Sequence, residues 1–174
     1  MMVGSLGGWE EKKLGEIEDV SIASGKSSHE KYDHGEYSFF GSTGVIGYSN
    51  DYDYQGSRIL VARVGHNAGF LYTVDGKYNV SDNTLILELP VNLNYKFIVS
   101  LLEEFQLNKL VFGTGQPLIT GGLLKKVLIK LPCLEEQTKI ANFLSAIDQK
   151  IEVVAQQIQH AKLWKKGLLQ QMFV

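Results

Sequence analysis

The chain has 174 residues, 44% of them hydrophobic and 21% charged, with a formal net charge of −2 and a pI near 6.1. That balance fits one core domain plus a further element, and it excludes a strongly basic nucleic-acid module, a disordered chain and a disulfide-stapled scaffold. The single cysteine, Cys133, cannot form an internal disulfide; beside Pro132 it reads as a small packing residue.

No apolar run approaches the roughly 18 residues of a membrane span. Residues 1–8 carry neither the basic nor the apolar region of a signal peptide, so a cytoplasmic chain opening on a linker is expected. The acids concentrate before Tyr54. Residues 105–131 hold Lys109, Lys125, Lys126 and Lys130 with no acid, and residues 55–81 set Arg58, Arg63 and Lys77 against Asp75 alone. A local basic face on a mildly acidic protein is the expectation.

Taken in order, residues 9–22 carry an apolar pattern (Leu14, Ile17, Val20, Ile22) too short to assign. The polar loop after it, residues 23–36, is a solvated connection or, through Lys26, Ser27, His29 and Lys31, a contact to phosphate or base edges. Tyr37-Ser38-Phe39-Phe40 reads as a strand. The glycines that follow (Gly41, Gly44, Gly47) mark turns, and no Lys-Ser or Lys-Thr makes them a phosphate loop. Tyr48, Tyr52 and Tyr54 alternate with Asn50, Asp51 and Asp53, which suits a half-buried edge or an aromatic surface for sugar and base.

Residues 58–64 read as a buried strand between Gly56 and Gly65. Residues 70–74 and 78–80 flank Asp75-Gly76, which favours a hairpin. Residues 83–89 make another strand, stopped by Pro90. Asn92 or Asn94 can cap a helix to about Phe105, with Phe97, Ile98, Leu101, Leu102 and Phe105 inward. In the Gly/Thr loop of residues 113–117, Thr114 is a candidate DNA contact. Gln116 either holds its own loop or pairs with adenine. Thr120 can cap a turn through Lys125 before a strand at residues 127–131. The sum is a mixed α+β domain over residues 9–131.

The rest, residues 132–174, reads as one long helix. Ile140, Leu144, Ile147, Ile151, Val154, Ile158, Ala161, Lys165, Leu168 and Met172 step alternately by four and three, apolar except at Lys165. Such a repeat marks a seam between helices. Glu135 and Glu136 suit the positive end of the helix dipole. Phe143 and Trp164 flank one edge of the seam. The stripe can pack on the chain's own domain or on a second protein surface.

Pro132, Leu134-Glu135-Glu136-Gln137, Ile140-Ala141, Leu144, Ile147-Asp148, Ile151 and Leu168-Leu169-Gln170-Gln171-Met172-Phe173 resemble the spacer helix of type I restriction–modification specificity subunits. Trp9 and Leu14-Gly15-Glu16-Ile17 resemble the opening of their target-recognition domains. The resemblance implies a non-catalytic DNA-reading chain. Its methyltransferase partner would bind S-adenosylmethionine, and a motor–nuclease subunit would cut. It further implies double-stranded DNA as ligand. Full subunits carry two such domains and two helices, whereas this chain has one of each, as a natural half-subunit or a fragment would; the exposed seam favours a homodimer. Lys26, Lys31, Tyr52, Tyr54, Arg58, Arg63, Lys77, Lys109, Thr114, Gln116, Lys125 and Lys126 are the candidate DNA contacts.

Enzyme chemistry finds no support in the residues. The three prolines (Pro90, Pro117, Pro132) are never adjacent, so an Asn/Asp-Pro-Pro-aromatic methyltransferase loop is absent. His29 and His34 lack the cysteine and spacing of a metal site. The competing reading is an assembly protein that pairs through its helix without reading DNA.

Overall fold

A computed structural model describes residues 8–26, 30–113, 115 and 117–173. In chain order the strands are β1 (Glu10–Lys13), β2 (Ser21–Ser24), β3 (Tyr37–Gly41), β4 (Gly44–Ser49), β5 (Tyr54–Gln55), β6 (Arg58–Ala62), β7 (Leu71–Val74), β8 (Lys77–Val80) and β9 (Thr84–Glu88). Helix α1 (Tyr95–Phe105), helix α2 (Gly121–Lys125), β10 (Leu128–Leu131) and helix α3 (Leu134–Met172) complete the fold. It is the expected α+β arrangement.

The apolar run of β6 places it at the heart of the head. An antiparallel sheet runs in the order β2-β9-β6-β7, and both of its faces are covered. Side chains alternate across a strand, so Ile59, Val61, Leu85 and Leu87 point to one side. There they meet Phe97, Ile98 and Leu102 of α1 and Leu124 of α2. Leu60 and Ile86 point to the other, against Val74, Tyr78 and Val80. Burying each such aliphatic chain stabilises the fold by roughly 1.5–3 kcal/mol.

The second sheet, β4-β3-β8-β5, is mixed, because β3 and β8 run parallel. Here the hairpin expectation fails. The turn at Asp75-Gly76 exists, with Gly76 at φ 86, but β7 pairs with β6 while β8 pairs with β3 and β5. The turn hands the chain from one sheet to the other. Val74 and Tyr78 both enter the layer between the sheets, and that burial outweighs the local preference for pairing the two arms.

Two caps behave as their sequence suggests. The Asn94 side chain accepts from the Phe97 amide at 3.1 Å, and Thr120 Oγ1 accepts from the Leu123 amide at 3.3 Å. α1 ends on Gln106 in the left-handed region at φ 57. Near the chain's start, β1 lies antiparallel to β10, with Glu10 opposite Leu131. Cys133, expected to pack, is exposed at the N-cap of α3 and makes no capping bond.

α3 has 39 residues, a rod of about 58 Å at about 1.5 Å per residue. Its first turns dock on the head. Gln137, only 3% exposed, accepts from the Asn94 amide at 3.0 Å and donates to the Pro132 carbonyl at 2.9 Å. Ala141 is buried and Ile140 packs on the core. Trp9 donates to Glu136 at 3.2 Å and meets Phe97 edge-on at 6.2 Å. From residue 146 to 173 every side chain is exposed except for half-covered Gly167. Among the described residues, no helix is long and apolar enough to cross a membrane.

Candidate nucleic-acid interface and assembly helix

Five of the candidate DNA contacts gather on or beside the second sheet. Asn79 of β8, fully buried, donates to the Asp51 carbonyl at 2.6 Å, and its side-chain oxygen accepts from the Asp53 amide at 2.9 Å. This clamp fixes the segment that presents Tyr52. The Tyr52 ring lies 5.0 Å from that of Tyr37. The ammonium of Lys77 sits over both, 4.5 Å from Tyr52 and 5.9 Å from Tyr37. Lys26 stands 6.0 Å over Tyr54 and 3.7 Å from Asp53. Lys31 stands 5.6 Å over Phe39.

Electrostatically the patch is mixed. Tyr37 and Tyr32 donate to Glu36 and Glu30 at 2.7 and 2.6 Å. These hydrogen bonds hold both phenols above their ordinary pKa, while burial does the same for Tyr54. All three therefore stay neutral donors at physiological pH. The ammonium of Lys77, held over two rings, keeps its charge available to a phosphate, whereas Lys26 shares its charge with Asp53; exposed ring faces can take a sugar or base.

Arg58 is placed differently. Its guanidinium binds Glu88 at 2.7 Å, lies 3.5 Å from the Tyr78 hydroxyl and also donates to the Gln55 carbonyl. With its side chain 15% exposed, it is engaged in tying the two sheets together. Tyr54 stacks on the same Tyr78 at 6.1 Å, so one face of Tyr54 is taken.

A second group surrounds the Gly/Thr loop. Phe112 and Leu118 exchange backbone hydrogen bonds of 3.1 and 2.9 Å and close its neck. The Gly65 amide donates to Pro117 and the Ile119 amide to Arg63, which places the β6–β7 connection beside it. Arg63 reaches Ser24 Oγ at 3.4 Å and the Asp82 carbonyl at 3.5 Å, and its buried Nε has no acceptor within the described residues. Thr114 and Gln116 lie outside the described residues, as do Ser27 and His29.

Lys109, Lys125 and Lys126 form a third group, on α2 and the short turn Leu107–Leu110 that it touches. The stem of Lys125 covers Gly15, where an added Cβ would come within 2.6 Å of the lysine Cβ. The candidate cations thus occupy three sites rather than one stripe. Sequence reasoning missed Asn79, for which a polar residue inside the apolar alternation of β8 was the available signal, and it named Gln137 only within the Leu134–Gln137 motif, without its role in docking α3.

The seam residues divide in two. Ile140 and Leu144 are half-covered by the head. An open groove of about 200 Å³ remains beside them, lined by Trp9, Phe97, Leu101 and Glu104. Ile147, Ile151, Val154, Ile158, Leu168 and Met172 are 38–70% exposed, and Phe143 and Trp164 are 66% and 71% exposed. Ala161 and Lys165 are exposed with them.

Comparison with known proteins adds the following. The family model described as "Type I restriction modification DNA specificity domain" matches residues 7–163. Similar proteins include the type I restriction enzyme EcoprrI specificity subunit of Escherichia coli, 25% identical over 79% of this chain and 35% of that one. The MjaVIII specificity subunit of Methanocaldococcus jannaschii is 33% identical over 66% of this chain and 28% of its own. A putative type I specificity subunit of Mycoplasma pneumoniae, S.MpnORF285P, is 30% identical over 77% and 47%. The chain thus spans less than half the length of these relatives.

Among solved structures, the type I restriction-modification S subunit of M. genitalium superposes with a TM-score of 0.73 at 22% identity, covering 89% of this chain and 43% of that one. The HsdS subunit of Thermoanaerobacter tengcongensis gives a TM-score of 0.66 at 22% identity, over 84% and 38%. These two establish a shared fold.

Proposed function

Because this chain belongs to the type I restriction modification DNA specificity domain family, we propose that its head reads one half of a bipartite DNA site while α3 pairs two copies and docks a methyltransferase. The observation that carries the reading half is the Lys77–Tyr37–Tyr52 and Lys26–Tyr54 cluster on one sheet edge. Lysines supply phosphate contacts and aromatic faces supply sequence-tolerant stacking. Arg63 and the neighbouring Gly/Thr loop supply a second polar surface in this reading. Arg58 is left out of it, since Glu88 already takes its charge.

The carrying half rests on the rod. An exposed apolar seam stabilises nothing until a partner covers it. A homodimer would set two identical readers on inverted half-sites. Methylation would be performed by the partner subunit with S-adenosylmethionine and cleavage by a motor–nuclease subunit; this chain contributes recognition and spacing.

The test is co-expression with the methyltransferase of the same system, followed by mapping of adenine methylation on a random plasmid library. A symmetric bipartite motif is the expected result. An asymmetric motif that needs a second specificity chain would remove the homodimer. No methylation from a complex that purifies intact would replace the reading function with an assembly role.

A further inference from the structure

Arg63 leaves the end of β6 with its backbone fixed and its charge unpaired. Its amide donates to the Asn83 carbonyl at 2.9 Å, and its own carbonyl accepts from the Ile119 amide at 2.9 Å. The residue is thereby pinned between the β8–β9 connection and the segment after the Gly/Thr loop. Its side chain is held far less firmly. Nη1 makes two long contacts, to Ser24 Oγ at 3.4 Å and to the Asp82 carbonyl at 3.5 Å. Among the described residues its buried Nε has no acceptor and no carboxylate pairs with it. Arg58, the only other arginine, binds Glu88 at 2.7 Å.

We propose that Arg63 clamps a backbone phosphate of the DNA that the head reads, and so sets the head's position on the duplex without reading a base. This deepens the DNA-reading proposal and rests on it. A guanidinium offers five N–H donors in a planar fork that suits two oxygens of one phosphate. Two long contacts leave most of that capacity unused, and a phosphate oxygen meets it better than a neutral carbonyl does. The Ser24 hydroxyl accepts from Nη1 and keeps its own O–H to give to the same phosphate.

Depth decides between phosphate and base. Arg63 is half-buried, and its Nη1 lies 3.5 Å from a loop carbonyl, so the fork ends level with the loops around it rather than beyond them. Base edges lie at the floor of a major groove about 8.5 Å deep, and phosphates line its rim. An arginine that stops at the height of its own loops meets the rim. Two residues further on, Gly65 at φ 79 leaves open space where a Cβ would stand. The β6–β7 connection thus presents bare backbone next to the clamp in the chain, and a sugar–phosphate strand can come close to it. A contact of this kind fixes register and orientation and carries no sequence information itself.

The test uses the full chain in complex with the methyltransferase of its own system, binding duplexes that carry the mapped motif over a salt series. Arg63→Met keeps the buried stem and removes every side-chain N–H. It is expected to weaken binding roughly tenfold or more and to lower the slope of log affinity against log salt by about 0.9. The methylated motif should stay the same. Arg63→Lys should recover the slope and part of the affinity, since a point charge still meets the phosphate. Thermal unfolding of Arg63→Met should begin no earlier than that of the unchanged chain, because the lost contacts are long and one buried donor had no acceptor.

A motif that relaxes at one base pair in Arg63→Met, with the slope unchanged, would make the arginine a base reader and overturn the clamp while sparing the reading proposal. Unchanged affinity and slope would overturn it too. So would a lower melting temperature with an unchanged slope, which marks a structural arginine. If the unchanged complex binds motif and scrambled duplexes alike, the reading proposal itself falls, and this inference with it.

Discussion

Helix α1 and the free part of α3 carry the same kind of apolar stripe and meet opposite fates. Ile98 and Leu102 on α1 are fully buried, whereas Ile151 and Ile158 on α3 are 61% and 50% exposed. The difference lies in what faces each stripe. α1 lies on a sheet whose Leu85, Leu87, Ile59 and Val61 point at it, and the match closes within one chain. α3 outruns the head after about three turns, and among the described residues nothing covers the remaining seam. An apolar helix face is thus satisfied by folding in one place and left uncovered in the other, where the proposed reading assigns it to assembly.

Four variants and one pH series probe that contrast. The largest effect is expected from the double change Ile151→Asp and Ile158→Asp, which puts two carboxylates into the centre of the seam. Mass in solution should fall to that of one chain while the head's unfolding transition stays where it was; an unchanged dimer would remove the seam assignment. Leu87→Ala should do the converse. It empties a fully buried site, costs about 2–5 kcal/mol of head stability, and leaves pairing intact in denaturant too weak to melt the head.

Gln137→Ala sits at the junction. It strips partners from the Asn94 amide and the Pro132 carbonyl, at about 1–3 kcal/mol, and hydrogen exchange should rise first at residues 94 and 133–141. Lys77→Ala should move thermal stability by less than about 0.5 kcal/mol, since the residue is exposed. On the proposed reading it weakens DNA binding and lowers the salt dependence by about one phosphate contact.

The smallest effect concerns Tyr95, whose hydroxyl donates to the Arg58 carbonyl at 2.8 Å. Burial pushes its pKa up to about 12. The folded value lies above the unfolded one, so this residue's contribution is complete below about pH 10 and is lost as pH rises toward about 12. In a pH series of chemical unfolding, Tyr95→Phe should flatten the decline in that window.

Legibility followed the range of the interactions. Strands β3, β6 and β9, the caps at Asn94 and Thr120 and the whole of α3 depend on local pattern, and sequence was enough to place them. The partner of β8 depends on β3, some 40 residues away in the chain, and the local Asp75-Gly76 signal pointed to the wrong neighbour. For the candidate site the residue types were legible but their grouping was not. Lys77 and Tyr52 meet because Asn79 clamps residues 51–53, and Arg58 is consumed by Glu88 of the neighbouring strand β9, some 30 residues on in the chain. Charge alone distinguishes neither case.

The antiparallel pair β1 and β10 has a consequence for the order in which the protein matures on the ribosome. Among the described residues, the strand Glu10–Lys13 pairs with Leu128–Leu131, so β1 waits for nearly the entire head to be translated. Closing so long a loop carries an entropic cost that the sheets formed in between reduce by bringing its ends together. The rod, built from contacts within four residues, forms as soon as it leaves the exit tunnel. Each nascent chain thus completes the strands of its head immediately before it exposes the apolar face of α3, and a chain stalled short of β10 never presents that face at all.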